Sequence, residues 1–197
     1  MELTNRQESL YRTVHNTSHS YRDNNWGVVM LKHWVQMLPS PPLSILEVGC
    51  GNGKLCRLLK DMQYDVTGID IVPGPYERKG YEFVIHNLQE GEMPFADKVF
   101  DYCVSFDVLE HIETEKINDV LWEMFRVAKN IILMVPCHHN TGKGLMKALH
   151  LTVKFPEWWI ERINKYSSQA NMCEVKLVPS FDANIVQRLL FHGKSAV

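Results

Sequence analysis

Ile45-Leu46-Glu47-Val48-Gly49-Cys50-Gly51-Asn52-Gly53 joins a short apolar run to a loop with glycine at alternate positions. Pro42 and Gly49 bound the apolar part, so Ser44–Val48 is predicted as a buried strand. From Lys54 onward, Leu55, Leu58, Leu59 and Met62 recur at i, i+3, i+4 and i+7, the spacing of one helical face. Three glycines between a strand and a helix let the backbone turn sharply. They also let a ligand approach without meeting a Cβ, next to free N–H groups at the helix start.

Working outward, strand-like runs recur at Val66–Ile69, Tyr81–Ile85, Tyr102–Phe106 and Ile131–Val135, with two further β-rich stretches at Met172–Val178 and Ile185–Phe191. Helices are predicted between Thr114 and Val127, through Ile117, Val120, Leu121 and Met124, and from Pro156, with Trp159, Ile160 and Ile163 inward. Upstream, Trp26, Val29, Met30, His33, Trp34 and Met37 share a helical face, and Pro39-Ser40-Pro41-Pro42 ends that region. Short apolar strands alternating with helices imply a doubly wound, mostly parallel α/β sheet with helices on both faces. In such sheets ligands sit beyond the carboxyl ends of the strands, here just after Val48, Ile69, Ile85, Ser105 and Val135.

The 197 residues suit a single structural domain. Residues 1–39 read as an N-terminal helical cap, residues 40–197 as the ligand-binding domain, and residues 136–160 as a lid. A formal charge of −2 does not point to a polyanionic partner. Five cysteines, none in a C-x-x-C pair, imply a reducing compartment rather than a disulfide framework. No signal-peptide core precedes the first helix and no apolar run is long enough to span a membrane, so a cytoplasmic protein is expected.

Two features narrow the ligand. The spacing is G-x-G-x-G rather than the G-x-G-x-x-G of dinucleotide sites, which argues against a nicotinamide dehydrogenase. Asp70 closes the second strand, 21 positions after Gly49, where a carboxylate accepts hydrogen bonds from both hydroxyls of a ribose. Together they suggest an adenosyl ligand without a pyrophosphate.

At this point the chain resembles a family. Ile45–Gly53 is similar to motif I of the class I, Rossmann-like S-adenosylmethionine (SAM)-dependent methyltransferases, and Asp70 stands where their ribose-binding acid stands. Met93-Pro94-Phe95-Ala96-Asp97-Lys98-Val99-Phe100-Asp101 resembles their stretch before strand four, and Phe106-Asp107-Val108-Leu109-Glu110-His111-Ile112 the segment after it. The resemblance is close over residues 40–135 and implies a seven-stranded sheet. It places Gly49, Gly51 and Gly53 under the methionine part of SAM and Glu47 at its amino group. Asp70 would take the ribose, Ile71, Asn87 and Leu88 the adenine, and Phe106 would lie close to the methyl. Asn87 departs from the Asp of many relatives, and the Pro- and Gly-rich link Ile71–Gly80 departs from their usual helix. Arg22, in an N-terminal segment with Tyr11, would pair with the methionine carboxylate.

The resemblance implies transfer of a methyl group from SAM, leaving S-adenosylhomocysteine. The expected acceptor is an oxygen or nitrogen of a small molecule. Candidate bases for a hydroxyl acceptor are His111, His138, His139 and His150. Asp107, Glu110 and His111 fall within one turn, and with His150 they form a candidate divalent-metal set. That pattern is similar to the E-x-x-E-H plus distant His of small-RNA 2′-O-methyltransferases, so an RNA acceptor with metal assistance is the alternative. A SAM-binding module without catalysis is the third.

Overall fold

A computed structural model describes residues 8–14, 26–72, 80–137, 149–178 and 187–192. The strands are β1 (Ser44–Val48), β2 (Asp65–Asp70), β3 (Glu82–Ile85), β4 (Phe100–Phe106), β5 (Ala128–Pro136), β6 (Met172–Val178) and β7 (Gln187–His192). They form one seven-stranded sheet in the order β3-β2-β1-β4-β5-β6-β7. Each neighbouring pair is parallel except β6 with β7, which is antiparallel. The chain builds outward from β1 through β2 to β3, then returns to the other side of β1 for β4. This reversal between β1 and β4 is the switch point that opens a crevice at the strand ends.

The period-two rule shows directly in the packing. Ile45, Val66, Tyr102, Val104 and Ile132 face one buried layer, with Trp34, Leu55, Cys56 and Leu59. Leu46, Val48, Ile69, Cys103, Ile131, Leu133 and Val135 face the other, with Val120, Leu121, Met124, Phe125, Trp159 and Ile163. Helices α1 (Trp26–Trp34) and α2 (Lys54–Asp61) supply the first layer, and α3 (Ile117–Val127) and α4 (Pro156–Ser167) the second. Fully burying one Leu or Phe stabilises by about 1.5–3 kcal/mol relative to leaving it exposed. These two layers therefore hold the sheet.

The predicted face of α1 needs correction. Trp34 is buried and its indole N–H donates to the Gly27 carbonyl at 3.2 Å, but Trp26 and Val29 are exposed. Met30 and Leu31 pack with Trp34 instead. The helix tightens into a 3₁₀ turn at Val35–Met37, and Met37 packs against the same cluster as Met30 and Trp34. Two strands also begin earlier than their apolar runs. β4 starts at Phe100, and β5 starts at Ala128, directly at the end of α3. His33's side chain, the link at 73–79 and most of the predicted lid, 138–148, lie outside the described residues.

The stretch before β4 turns out to be a fastening. Arg126 on α3 donates through Nε and Nη2 to the two oxygens of Glu123, both at 2.7 Å, and reaches the carbonyls of Met93 and Phe95. Glu123 also accepts the Met93 N–H at 2.6 Å. Burial alone would push its carboxyl up, but Arg126 and that N–H hold it below the usual range. Lys98 has φ 53° and donates Nζ to the carbonyls of Phe125, Ala128 and Gln169. These bonds pin residues 93–98 to the end of α3, which sets where β4 starts.

Candidate active site

The crevice at the switch point is a cleft of about 550 Å³ of empty space, partly open to solvent. Gly49 and Asp70 line it from the ends of β1 and β2, followed by Ile71. His86, Asn87, Leu88 and Gln89 come from the end of β3, and Asp107, Val108, His111 and Ile112 from beyond β4. Tyr11, on the helical segment 8–14, closes the remaining side. The strand ends named from the sequence are therefore the ones that meet, save the end of β5.

Asp70 is tied to the glycine loop. Its Oδ2 accepts the Gly51 N–H at 2.8 Å and its Oδ1 accepts the Val72 N–H at 3.2 Å. A carboxylate oxygen can accept more than one bond, the capacity that two adjacent ribose hydroxyls require. Asn87 folds into an Asx turn, its Oδ1 accepting the Gln89 N–H at 3.1 Å. Gln89 in turn accepts the Glu113 N–H at 2.8 Å, joining the β3 side of the cleft to the segment after β4.

The glycines divide their work. Gly49, Gly51 and Gly53 all have positive φ, at 72°, 51° and 69°, and only glycine adopts that region at no steric cost. At Gly49 an added Cβ would overlap Val108, and at Gly53 it would overlap the Tyr81 hydroxyl. Two of the three glycines are thus required by protein side chains, where the sequence suggested a ligand. Asn52 caps the next turn, its Oδ1 accepting the Lys54 N–H at 2.9 Å.

Other predicted residues lie elsewhere. Glu47 does not line the cleft. It is buried, with Oε2 accepting from the Cys56 thiol at 2.8 Å. Phe106 packs against Trp34, ring centroids 5.2 Å apart, in the layer under α1. Arg22, His138 and His139 lie outside the described residues. Of the tryptophan pair after the lid, Trp159 is core, while Trp158 is half-buried beneath the Arg162 guanidinium at 3.5 Å. His86 and Ile112 had no signal in the sequence beyond position; Val108 had none that pointed to Gly49.

After β4, Asp107 has φ 62° and Leu109–His111 forms a 3₁₀ turn. Glu110 is completely buried, with its carboxyl beside that of Asp107 and its Oε1 3.7 Å from His111 Nε2. Burial, then the Asp107 carboxylate, pushes the Glu110 carboxyl well up. Burial likewise holds the His111 imidazole below its usual value, against an opposing pull from Asp107. His111 Nδ1 lies 3.0 Å from the Leu149 carbonyl; that oxygen can only accept, so Nδ1 carries the proton and Nε2 presents a lone pair. Tyr11 and His150 meet the His111 ring edge-on, at 5.8 and 4.6 Å.

The segment 149–152 is stitched to this turn. The N–H groups of Leu151 and Thr152 donate to the Glu110 carbonyl, and the Thr152 hydroxyl donates to the Ile112 carbonyl at 2.7 Å. His150 is thereby carried to Glu110 and His111, and one ligand atom from each lies within 4.8 Å of the others. Asp107, counted in the same set from the sequence, is not part of that group.

A doubly wound sheet with a cleft at its switch point is the place where open α/β folds hold their ligands. Residues 46–131 match the family described as "Methyltransferase domain", and the fold is that of the class I, Rossmann-like methyltransferases. It is 24% identical over 139 residues to a ubiquinone biosynthesis O-methyltransferase of Rickettsia typhi, covering 68% of this chain and 56% of that one. It is 26% identical over 105 residues to a bifunctional methionine biosynthesis protein of Rhodopirellula baltica, covering 47% of this chain and 16% of that one. The chain thus spans about half or less of these relatives' lengths. In fold it is similar to a SAM-dependent methyltransferase of Archaeoglobus fulgidus, with TM-score 0.60, 18% identity, and coverage of 75% and 71% of the two chains. A second likeness is to a complex between the Haloferax volcanii Trm112 methyltransferase activator and a methyltransferase, with TM-score 0.63, 13% identity, and coverage of 83% and 76%.

Proposed function

We propose that this protein transfers a methyl group from SAM to an oxygen or nitrogen of a small molecule. The observation that carries this reading is the cleft itself. Gly49 and Asp70 line it from the ends of β1 and β2, and His111 and Tyr11 line the end we assign to the acceptor. Asp70 would hold the ribose, and Ile71, Asn87 and Leu88 the adenine. Gly49 and Gly51 would lie under the methionine part. Bound SAM supplies a methyl on a positively charged sulfur that is already an excellent leaving group. The chain then has to align the acceptor with the C–S bond and exclude water. Tyr11 and Ile112 wall that end, and the Glu110–His111–His150 group is where a hydroxyl acceptor would be relieved of its proton.

The O-methyltransferase named among the relatives favours a small-molecule acceptor. A second reading, a metal-assisted RNA 2′-O-methyltransferase, is favoured by the convergence of Glu110, His111 and His150. The deciding experiment follows labelled methyl from SAM into a cell extract separated into small molecules, RNA and protein, with Asp70→Ala as control. Label in the small-molecule pool is expected. Label in RNA would replace the first reading by the second. SAM binding with no label in any pool would point to a binding module.

A further inference from the structure

We propose that Cys56 is a positioning residue for the glycine loop: its thiol links Glu47 on β1 to Cys50 in the loop, and so fixes from behind the backbone that meets the cleft. Gly68 on β2 makes the room for this. It pairs with Glu47 across the parallel ladder, so the two stand side by side on the face that α2 covers. Unlike the three loop glycines, Gly68 has no positive φ, and its backbone does not call for glycine. The space does. A Cβ there would lie 2.8 Å from the Cys50 sulfur and 3.0 Å from the Cys56 sulfur. The two sulfurs therefore share the gap that Gly68 leaves, and both cysteines are completely buried.

The bonds run through that gap. The Cys56 thiol donates to Glu47 Oε2 at 2.8 Å, and a side-chain hydrogen bond joins Cys56 to Cys50. Cys56 stands in the first turn of α2, so strand, loop and helix meet at one thiol. The bond with Cys50, then burial, then the charge of Glu47 push that thiol up. It therefore keeps its proton and remains a donor. Glu47 thus acts on the loop through Cys56, without touching the ligand.

The loop needs an anchor at this point. Gly49 and Gly51 flank Cys50, both with positive φ, at 72° and 51°, and neither has a side chain to hold its place. Cys50 packs into the buried layer with Cys56, Leu55 and Leu59. On the opposite side the Gly51 N–H donates to Asp70 at 2.8 Å. The backbone is gripped by Asp70 in front and by the thiols behind. Released behind, its glycines would gain freedom that a ligand must remove again on binding, which lowers affinity.

This role rests on the proposed binding of SAM, and the experiment separates the two. SAM affinity is measured by calorimetry, beside the urea midpoint, for the full chain and for Cys56→Ala, Cys56→Ser and Cys103→Ala. Cys103 is equally buried but lies on β4 in the opposite layer, so its truncation opens a similar cavity away from the loop. Cys56→Ala should weaken SAM binding about fivefold or more. Cys56→Ser, whose hydroxyl can still donate to Glu47, should stay within about twofold of the parent. Cys103→Ala should lower the urea midpoint while leaving the affinity unchanged. If Cys56→Ala does not fold, Cys50→Ala decides by the same measure of affinity. Unchanged affinity in the deciding alanine variant would overturn the role. So would an equal loss in Cys56→Ser, or an equal loss in Cys103→Ala, which would reduce the effect to general destabilisation. A parent chain that binds no SAM would overturn the cofactor reading together with this role, whereas the other refuting outcomes leave that reading standing.

Discussion

Gly49 tests how the cofactor loop is held, because its replacement by alanine meets two separable penalties. With φ 72°, an L-residue there costs about 1–2 kcal/mol in backbone strain. The new Cβ would also overlap Val108 Cγ2 and lie 2.9 Å from Val108 Cγ1. Both atoms branch directly from the Val108 Cβ, so no flexible side-chain end can swing away, and such overpacking typically costs about 1–3 kcal/mol. Gly49→Ala should therefore destabilise by about 2–5 kcal/mol in urea unfolding. Val108→Ala removes both clashing atoms. In the double variant the backbone strain and a close approach of the Val108 Cβ at 3.2 Å should remain, giving a favourable coupling of at least about 1 kcal/mol in a double-mutant cycle. A stability within about 0.5 kcal/mol of the parent for Gly49→Ala, or no coupling with Val108→Ala, would refute the packing argument. The same pair separates two demands on the loop. If SAM affinity falls in Gly49→Ala and returns in the double variant, the loop's shape matters to the cofactor more than the missing Cβ does.

Asp70→Ala should weaken SAM binding tenfold or more in calorimetry, about 1.4 kcal/mol, and unchanged affinity would remove the ribose assignment. Asp70→Asn, which can still accept the Gly51 N–H, should keep the loop folded while losing much of that affinity. Arg126→Met leaves Glu123 buried without its two-pronged partner and should cost about 3 kcal/mol in chemical unfolding. Asp101 accepts from Lys129, and from the Ser44 N–H and hydroxyl, and these bonds, Lys129 first, hold its carboxyl below the usual range. Its contribution is therefore present above the unfolded-state value near pH 4 and is lost as pH falls through the lower folded value. Asp101→Asn should flatten the acid limb of a stability-versus-pH curve, and an unaltered limb would show that the network adds nothing.

The sheet was legible because each strand is a short apolar run with punctuation at its ends. Ser44–Val48 and Met172–Val178 agree to the residue. Where the sequence misled, a face or a boundary lacked a marker: Trp26 and Val29 share the spacing of Met30 and Trp34 yet are exposed, and α3 passes into β5 with no loop between them. In the site, residues at strand ends were found because topology alone puts them there: Gly49, Asp70, Ile71, Asn87 and Asp107. Glu47 and Phe106 belong to strands, and each alternates away from the cleft side, Glu47 to the Cys56 thiol and Phe106 to Trp34. Val108 could not be read, since its effect on Gly49 is a contact between segments nearly sixty residues apart.

The two ends of the cleft are built by different means, and that bears on how specificity could change. The end proposed for the cofactor is assembled from strand ends and their own turns, with Asp70 bonded to Gly51 and Asn87 to Gln89. Asp70 and the glycine loop follow the interior strands β2 and β1, so moving them requires moving a strand inside the sheet, whereas Asn87 follows the edge strand β3. The acceptor end depends on long-range attachments. His111 takes its tautomer from Leu149, and Glu110 is covered by Leu151 and Thr152, about forty residues later. Tyr11 arrives from the other side on the N-terminal helical segment. Substitutions in 149–155 or around Tyr11 can therefore reshape the acceptor pocket while Asp70 and the glycine loop keep their geometry. Acceptor preference should shift through those two segments with little change in SAM affinity, and a Tyr11→Ala variant tested on both binding events would show whether the division holds.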